Sequence, residues 1–287
     1  MKQVLIIGCG DVGQRVATLH AAFGRRVTGV VRSREGQRRL TQAGIASLMA
    51  DLDEPPSLRG LPTAAALLYY LAPPPGAGER DTRMEHLLAS LDPAAPPSQI
   101  VYVSTTGVYG DCGGAWITER QPVNPRAVRS RRRLAAESAL RAWGEAFGVP
   151  VVILRVPAIY GPGRLPVERI RQRLPVVREE ESPYTNRIHA DDLARVCLAA
   201  GERGAAGIYN VSDGHPTTMT QYFNRVADLL GLPRPPTVSM EEARRSFSPG
   251  LLSYLEESRR LDNRKMREEL QVELLYPDLE SGLPSCL

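Results

Sequence analysis

The fold is decided close to the N-terminus, by the stretch Val4-Leu5-Ile6-Ile7-Gly8-Cys9-Gly10-Asp11-Val12-Gly13. Its apolar run predicts a short buried strand, and the apolar residues that recur at helical spacing from Val12 to Phe23 predict a helix directly after it. The glycines between them have the spacing G-x-G-x-x-G. In that spacing, the first glycine permits a tight turn, the second lets a pyrophosphate approach the backbone, and the third lets the helix pack on the strand. We therefore expect a dinucleotide-binding loop, with a purely structural turn as the alternative, at Gly8, Gly10, Asp11, Val12 and Gly13.

The same alternation of strand and helix continues along the chain. Further strands are predicted by apolar runs at 27–31, 65–71, 100–103 and 151–154, and helices by helical spacing at 80–91, 130–147 and 187–200. Strands that alternate with helices are typical of a parallel sheet covered on both faces. The sequence therefore predicts an α/β fold with a Rossmann-type doubly wound parallel sheet.

The regular alternation weakens after Tyr160. The segment 162–183 is rich in Arg, Pro and Glu, and amphipathic helical pieces follow towards the C-terminus. We predict a dinucleotide-binding domain of residues 1–161 plus 186–213 and a smaller, partly discontinuous substrate lobe of residues 162–185 plus 214–287. A cleft between the two is the expected binding site.

The composition is that of an ordinary globular protein, with 287 residues of which 43% are hydrophobic and 24% charged. It excludes a disordered, collagenous or fibrous chain. The widely separated cysteines form neither a metal-ligand pair nor a disulfide framework, so we expect reduced thiols, no metal site and a cytoplasmic location. No apolar run is long enough for a signal peptide or a membrane span, so no membrane association is expected.

The end of the second predicted strand distinguishes between the two nicotinamide cofactors. An acidic residue there accepts a hydrogen bond from the ribose 2′-hydroxyl of NAD, whereas an arginine accommodates the 2′-phosphate of NADP. The chain reads Val31-Arg32-Ser33-Arg34, with no acid at the strand end. We therefore expect Arg32 and Ser33 to favour NADP(H), with NAD(H) as the other cofactor to consider. The alternative is that Arg32 and Arg34 are only solvated surface residues.

Further motifs follow the glycine loop in a fixed order: Asp51-Leu52, Leu71-Ala72, Ser104-Thr105-Thr106-Gly107-Val108-Tyr109-Gly110, Leu154-Arg155-Val156-Pro157-Ala158-Ile159-Tyr160-Gly161 and Ile188-His189-Ala190-Asp191-Asp192. Together they resemble the extended short-chain dehydrogenase/reductase family, which contains the nucleotide-sugar epimerases and dehydratases, over almost the whole chain. The resemblance implies that Asp51 and Leu52 lie at the adenine and that the segment from Pro157 positions the nicotinamide. It also implies cofactor contacts at Leu71, Ala72 and Ser104.

The helix after the Val-Tyr-Gly motif departs from the family pattern. In the family this helix begins with Tyr-x-x-x-Lys, where Tyr is the general acid/base and Lys lowers its pKa and holds the nicotinamide ribose. Alignment on Leu134-Ala135-Ala136-Glu137 places Arg129 at the Tyr position and Arg133 at the Lys position. An arginine stays protonated at neutral pH, so Arg129 cannot accept a proton, whereas Arg133 can donate to a ribose or a phosphate. The chain thus resembles the atypical members of the family that lack the Tyr-Lys pair.

Two hydroxyl groups are candidates to replace the lost tyrosine. Thr105 stands at the family's substrate-carbonyl position, where its hydroxyl can bind a substrate oxygen or merely cap the following turn. Tyr109 is the nearest phenol in sequence and serves as a proton donor if arginines depress its pKa, with a packing role as the alternative. We expect His189 to be structural and the acids Asp191 and Asp192 to cap the next helix.

An arginine cluster marks the start of the same helix. Arg129 and Arg133 lie one helical turn apart and repel each other unless an anion lies between them. The cluster therefore predicts an anionic small-molecule substrate, with a solvated face as the alternative. Nucleic acid is not an expected partner, because aromatic residues are only 6% of the chain and the basic residues form no broad stripe.

These observations predict an NADP(H)-binding, epimerase/dehydratase-like oxidoreductase that acts on an anionic carbonyl or nucleotide-sugar-like substrate. Its catalytic candidates are Thr105, Tyr109, Arg129 and Arg133. The alternative is a non-catalytic NAD(P)(H)-binding sensor, which the missing Tyr-Lys pair favours. We expect a monomer or a homodimer that pairs through the helices near 80–91 and 130–147.

Overall fold

Strands and helices alternate along residues 3–287, the part of the chain that the computed structural model describes. The strands are β1 (Gln3–Ile7), β2 (Arg26–Val31), β3 (Ala46–Met49), β4 (Leu67–Tyr70), β5 (Gln99–Thr105), β6 (Trp116–Ile117), β7 (Val151–Val156), β8 (Ala158–Tyr160), β9 (Val176–Val177), β10 (Tyr184–Thr185), β11 (Arg187–His189), β12 (Gly207–Asn210), β13 (Thr217–Thr218), β14 (Thr237–Val238) and β15 (Arg260–Leu261). The α-helices are α1 (Asp11–Ala22), α2 (Arg34–Gln42), α3 (Thr82–Ser90), α4 (Val128–Phe147), α5 (Val167–Arg171), α6 (Ala190–Arg203), α7 (Met219–Leu229), α8 (Met240–Ser246), α9 (Pro249–Leu255), α10 (Arg264–Leu270) and α11 (Leu279–Gly282).

A parallel sheet forms the centre of the fold. Within the described residues it has seven strands in the order β12-β7-β5-β4-β1-β2-β3. The chain builds outward from β1 to β3 on one side, then returns to β4 and builds outward on the other. In an open parallel sheet, such a reversal of strand order leaves a crevice at the carboxyl ends of the strands, where ligands bind. The predicted fold class is confirmed.

Helices cover both faces of this sheet because its strands are apolar on both sides. Along β1, Val4 and Ile6 belong to a cluster with α1, α6 and α10, whereas Leu5 and Ile7 belong to a cluster with α3 and α4. Successive side chains of a strand point to opposite faces, so a continuous apolar run serves two layers of helices.

A smaller lobe packs beside the carboxyl ends of the strands. Its apolar cluster includes Ile170 on α5, Val176 on β9 and Phe223 on α7. The predicted boundaries of the two domains remain a prediction. Helix α10 does not follow these boundaries. Its residues Met266 and Leu270 pack in the apolar cluster of the large sheet, although they lie in the range predicted for the smaller lobe.

The segment 187–200 differs from its prediction as a continuous helix. Its first residues form β11, which pairs in parallel with β8, and α6 begins only at Ala190. The N-cap is His189, whose Nδ1 accepts a hydrogen bond from the Asp191 amide at 3.2 Å. The expectation that Asp191 and Asp192 cap this helix is therefore wrong: Asp191 pairs with Arg15, and Asp192 accepts the amides of residues 275 and 276.

A buried ion pair ties α4 to the strands beneath it. Glu137 on α4 accepts two hydrogen bonds from Arg155 on β7, at 2.7 and 3.2 Å. Ser104 on β5 donates to the same carboxylate at 2.5 Å. Both charged residues are 3% exposed or less. The pair therefore fixes the end of β5, the end of β7 and the face of α4 relative to one another.

A buried carboxylate follows β12. Asp213 accepts a hydrogen bond from the His215 amide at 3.0 Å through Oδ1, while Oδ2 is buried with no hydrogen-bond partner among the described residues. Burial raises the pKa of Asp213 to about 7.

We expect Glu137→Ala to lower the free energy of unfolding by about 3–5 kcal/mol, because it leaves the Arg155 guanidinium buried without its counter-charge. Urea unfolding measures the change. Asp228→Ala, which breaks the exposed pair of Asp228 with Arg234, is the control and should have no measurable effect. A Glu137→Ala protein as stable as the wild type would contradict the role of the pair.

We expect Asp213 to make the protein less stable as the pH rises. Its ordinary pKa is about 4, so between about pH 4 and pH 7 the folded state binds the proton that the unfolded state has lost, and stability falls by up to about 1.4 kcal/mol per pH unit. Asp213→Asn cannot ionise, so its stability relative to the wild type should grow across this range and stay constant above it. Denaturation curves that differ by a constant amount at every pH would show that Asp213 ionises normally.

Candidate functional site

The glycine loop joins β1 to α1 at the point where the strand order reverses. Gly8 has a φ of +79°, and a Cβ at this position would lie 2.6 Å from the backbone nitrogen of Ala72. Only glycine fits there. Gly10 is the N-cap of α1, and nothing lies within 4 Å of the position that its Cβ would take. The amides of the first turn of α1 are therefore open to a phosphate, as a dinucleotide requires.

Close packing of α1 on the preceding turn explains why the last residue of the motif, Gly13, is a glycine. A Cβ at Gly13 would lie 3.3 Å from the Gly8 carbonyl oxygen and from the Cys9 Sγ. The helix therefore lies directly on the turn that precedes it. Asp11 faces away from this contact and pairs with Arg15 and Arg164.

A first cleft, of about 360 Å³, opens beside the loop. We call it the loop cleft. The predicted cofactor residues that line it are Gly8, Gly10, Arg32, Ser33, Asp51, Leu52 and Ala72. The structure does not bring every predicted residue here: Leu71 packs against the apolar cluster of the sheet, and Ser104 is bonded to Glu137.

The loop cleft carries positive charge at the end of β2. Arg32 and Arg39 line it and form no ion pair with any described residue, whereas a third arginine, Arg83, is paired with Asp53 at 2.5 Å. That pairing lowers the pKa of Asp53. Ser33 accepts a hydrogen bond from the Gly36 amide and so caps α2 at the same edge.

A second cleft, of about 500 Å³, lies between the sheet and the smaller lobe. We call it the interlobe cleft. The predicted residues that line it are Thr105, Arg129, Arg133 and Pro157. The linings of the two clefts are adjacent along the chain after β4: Ala72 and Pro73 line the loop cleft, and Pro74 lines the interlobe cleft.

Thr105 ends β5 at the floor of the interlobe cleft. Its Oγ1 accepts a hydrogen bond from the Gly107 amide at 3.1 Å and caps the short 3-10 helix that follows. A hydroxyl that accepts one hydrogen bond can still donate its own proton. The capping role and a contact with a substrate oxygen are therefore compatible.

The two arginines that the sequence motifs align with the family's Tyr-Lys pair have different surroundings. Arg133 donates to the Ala72 carbonyl oxygen at 3.1 Å and to the Tyr102 hydroxyl at 3.2 Å, so it joins α4 to the end of β4. Arg129 donates to the Ser253 hydroxyl at 2.7 Å, and its guanidinium stacks on the Tyr254 ring at 3.9 Å.

Tyr109 does not reach either cleft. It is 1% exposed, its hydroxyl donates to Asn210 at 2.6 Å, and Arg155 stacks on its ring. The condition for a role as proton donor, a pKa depressed by arginines, is not met, because burial outweighs Arg155 and raises the pKa of Tyr109. The structure therefore supports the packing alternative for this phenol.

Several residues of the interlobe cleft were not predicted. Arg187 precedes the Ile188-His189 motif directly, so an arginine beside a family motif was a signal in the sequence. Tyr254 on α9 and the pair of Glu257 with Arg259 come from the C-terminal segment, where no motif marks them. Only tertiary structure brings them to the cleft.

Among the described helices, none is both long enough and apolar enough to cross a bilayer.

Comparisons with known proteins agree with this architecture. Residues 4–212 match the NAD dependent epimerase/dehydratase family. The chain is 28% identical to Protein YeeZ of Escherichia coli K12 over 292 aligned positions, which cover 97% of each chain. It is 30% identical to a conserved protein of unknown function from Silicibacter pomeroyi DSS, whose solved structure superposes with a TM-score of 0.82 and coverage of 100% of this chain and 98% of that one.

A more distant structure extends the likeness in fold. The UDP-glucuronic acid 4-epimerase from Bacillus cereus, solved in complex with NAD, has a TM-score of 0.76 at 16% identity, with coverage of 99% of this chain and 96% of that one. The resemblance found in the sequence is confirmed by the family match, which spans the glycine loop, Thr105 and the Ile188-His189 motif. The chain therefore belongs to the NAD-dependent epimerase/dehydratase family.

Proposed function

We propose that the protein is an NADP(H)-dependent, epimerase/dehydratase-like oxidoreductase that acts on an anionic carbonyl or nucleotide-sugar-like substrate. The proposal depends on one observation: consecutive residues after β4 line the two clefts, Ala72 and Pro73 the loop cleft and Pro74 the interlobe cleft. A dinucleotide has two ends, and these clefts offer one place for each: Arg32 lies in the first, and Thr105 and Arg133 lie in the second.

The residues of the loop cleft fit NADP(H). The open backbone at Gly10 suits the pyrophosphate, and the unpaired cations Arg32 and Arg39 suit a 2′-phosphate. When bound, the cofactor supplies a nicotinamide that gives or takes a hydride.

The residues of the interlobe cleft have separate tasks in this proposal. Arg133 donates to the nicotinamide ribose, next to the Ala72 carbonyl that it already binds. The Thr105 hydroxyl donates to the substrate oxygen. Tyr254 supplies the proton: its phenol lines the cleft, is 52% exposed and stacks on Arg129, the residue at the position of the family's tyrosine. Exposure lets water restore the proton after each turnover.

We infer a cytoplasmic protein, supported by cysteines that form no disulfide in the described chain. We infer a monomer or a homodimer with no nucleic-acid partner, since the arginines of α4 at Arg129 and Arg133 face the interlobe cleft.

A non-catalytic NAD(P)(H) sensor is the second candidate function. It is favoured by Arg129, which stays protonated and leaves no general base at that position. The two candidates differ in what the hydroxyl groups of the interlobe cleft do, so variants at those hydroxyls separate them.

We expect Arg32→Ala to weaken NADPH binding by about tenfold or more and to leave NADH binding unchanged, because only NADPH has the 2′-phosphate. Isothermal titration calorimetry with both cofactors measures this. Arg34→Ala is the matched control, since Arg34 is a neighbouring arginine that does not line the loop cleft. An equal loss of affinity for NADPH and NADH, or no loss for either, would contradict a preference for NADP(H).

We expect Thr105→Val and Tyr254→Phe each to lower kcat by about a hundredfold or more with an anionic carbonyl substrate found by screening NADPH oxidation. NADPH affinity should be unchanged in both variants. Tyr184→Phe removes another phenol of the same cleft, one that stacks on Arg260 instead of Arg129, and should retain activity. NADPH binding with no turnover of any substrate by the wild type would favour the sensor.

A further inference from the structure

Two buried arginines of this chain differ in whether a carboxylate balances their positive charge. Arg155 is 3% exposed and is paired with Glu137 through two hydrogen bonds. Arg187 is 5% exposed, yet it forms no ion pair with any carboxylate in the part of the chain that the structure describes. Its contacts are a hydrogen bond from Nη1 to the Thr217 hydroxyl at 3.0 Å and a stack on the Tyr222 ring at 3.9 Å.

A cation held in the interior without a counter-ion is unfavourable, because it loses its hydration and gains no opposite charge in return. Burial accordingly lowers the pKa of Arg187 to about 10. The nearby acid is Asp213, whose amide donates to the Arg187 carbonyl oxygen at 2.8 Å. Burial raises the pKa of Asp213 to about 7, so at neutral pH its carboxyl group is only partly ionised and compensates Arg187 only in part.

Arg187 lies where a substrate would meet the nicotinamide. The register of β11 on β8 places Arg187 opposite Ala158, next to Pro157 at the end of β7. All three residues line the interlobe cleft. The guanidinium is held from the smaller lobe by Thr217 and Tyr222, so its direction is fixed before any ligand arrives.

We propose that Arg187 binds a carboxylate or phosphate group of the ligand in the interlobe cleft. The planar guanidinium offers parallel N–H donors that match two oxygens of either group, and the bound anion supplies the missing counter-charge. Identification of this ligand as the substrate rests on the proposed function. With that identification, the substrate is a carbonyl compound that carries a carboxylate or phosphate group, and its carbonyl oxygen lies within reach of Thr105.

Anion binding can be tested without the substrate. We expect the melting temperature of the wild type to rise with inorganic phosphate or with acetate at constant ionic strength, because a ligand that binds only the folded state stabilises it. Phosphate that binds at the glycine loop raises the melting temperature of every variant equally. The melting temperature of Arg187→Met should therefore rise less than that of the wild type. Calorimetry should show at least about tenfold weaker binding of the anion by this variant.

Two further variants control for charge and folding. Arg234→Met removes an exposed arginine outside both clefts and should respond as the wild type does. Arg187→Lys keeps the charge but loses the planar fork, so we expect anion affinity between those of the wild type and Arg187→Met. In buffer without either anion, Arg187→Met should melt no lower than the wild type, since it removes a buried charge that is only partly compensated.

The outcomes separate this inference from the proposed function. A response to phosphate alone or to acetate alone that requires Arg187 identifies which group binds. A response to both anions that is the same in Arg187→Met and the wild type overturns the inference, even if NADPH binds normally. Arg187-dependent anion binding in a protein that binds no NADPH supports the site and overturns the proposed function instead.

Discussion

The ion pair of Glu137 with Arg155 is the interaction on which the geometry of the candidate site depends. It connects α4, which carries Arg129 and Arg133, to β7, which leads to Pro157, and through Ser104 to β5, which ends at Thr105. Separating the two partners would leave a buried charge uncompensated, at a cost of about 3–5 kcal/mol, so the elements that carry them stay together. The candidate groups of the interlobe cleft are therefore set by one buried contact that lies outside it.

The sheet supplies the second constraint. Because the strand order reverses between β1 and β4, Gly8 and Ala72 approach so closely that a side chain at Gly8 would meet the backbone. The segment that follows β4 lines both clefts, the loop cleft with Ala72 and Pro73 and the interlobe cleft with Pro74. The family match, the open backbone at Gly10 and the unpaired Arg32 are all consistent with the proposed function, in which a cofactor would span the switch point of the sheet.

The sequence predicted what depends on local pattern. The glycine loop, the strand ends and the positions of Thr105, Arg129 and Arg133 follow from spacing and motif order, and the structure places them as neighbours of the two clefts. Tyr109 could not be assigned in this way, because its burial depends on Asn210 and Arg155, which are distant in sequence. Tyr254 was missed for the same reason: a phenol on a short C-terminal helix reaches the cleft only through the packing of the smaller lobe.

The central claim is that the two clefts hold the two ends of one cofactor. A crystal structure of the protein with NADPH bound tests it most directly. We expect the 2′-phosphate at Arg32 and the nicotinamide in the interlobe cleft, beside Pro157 and Thr105. A cofactor whose nicotinamide lies outside the interlobe cleft, or whose adenosine lies away from β2, would show that the two clefts do not hold one cofactor.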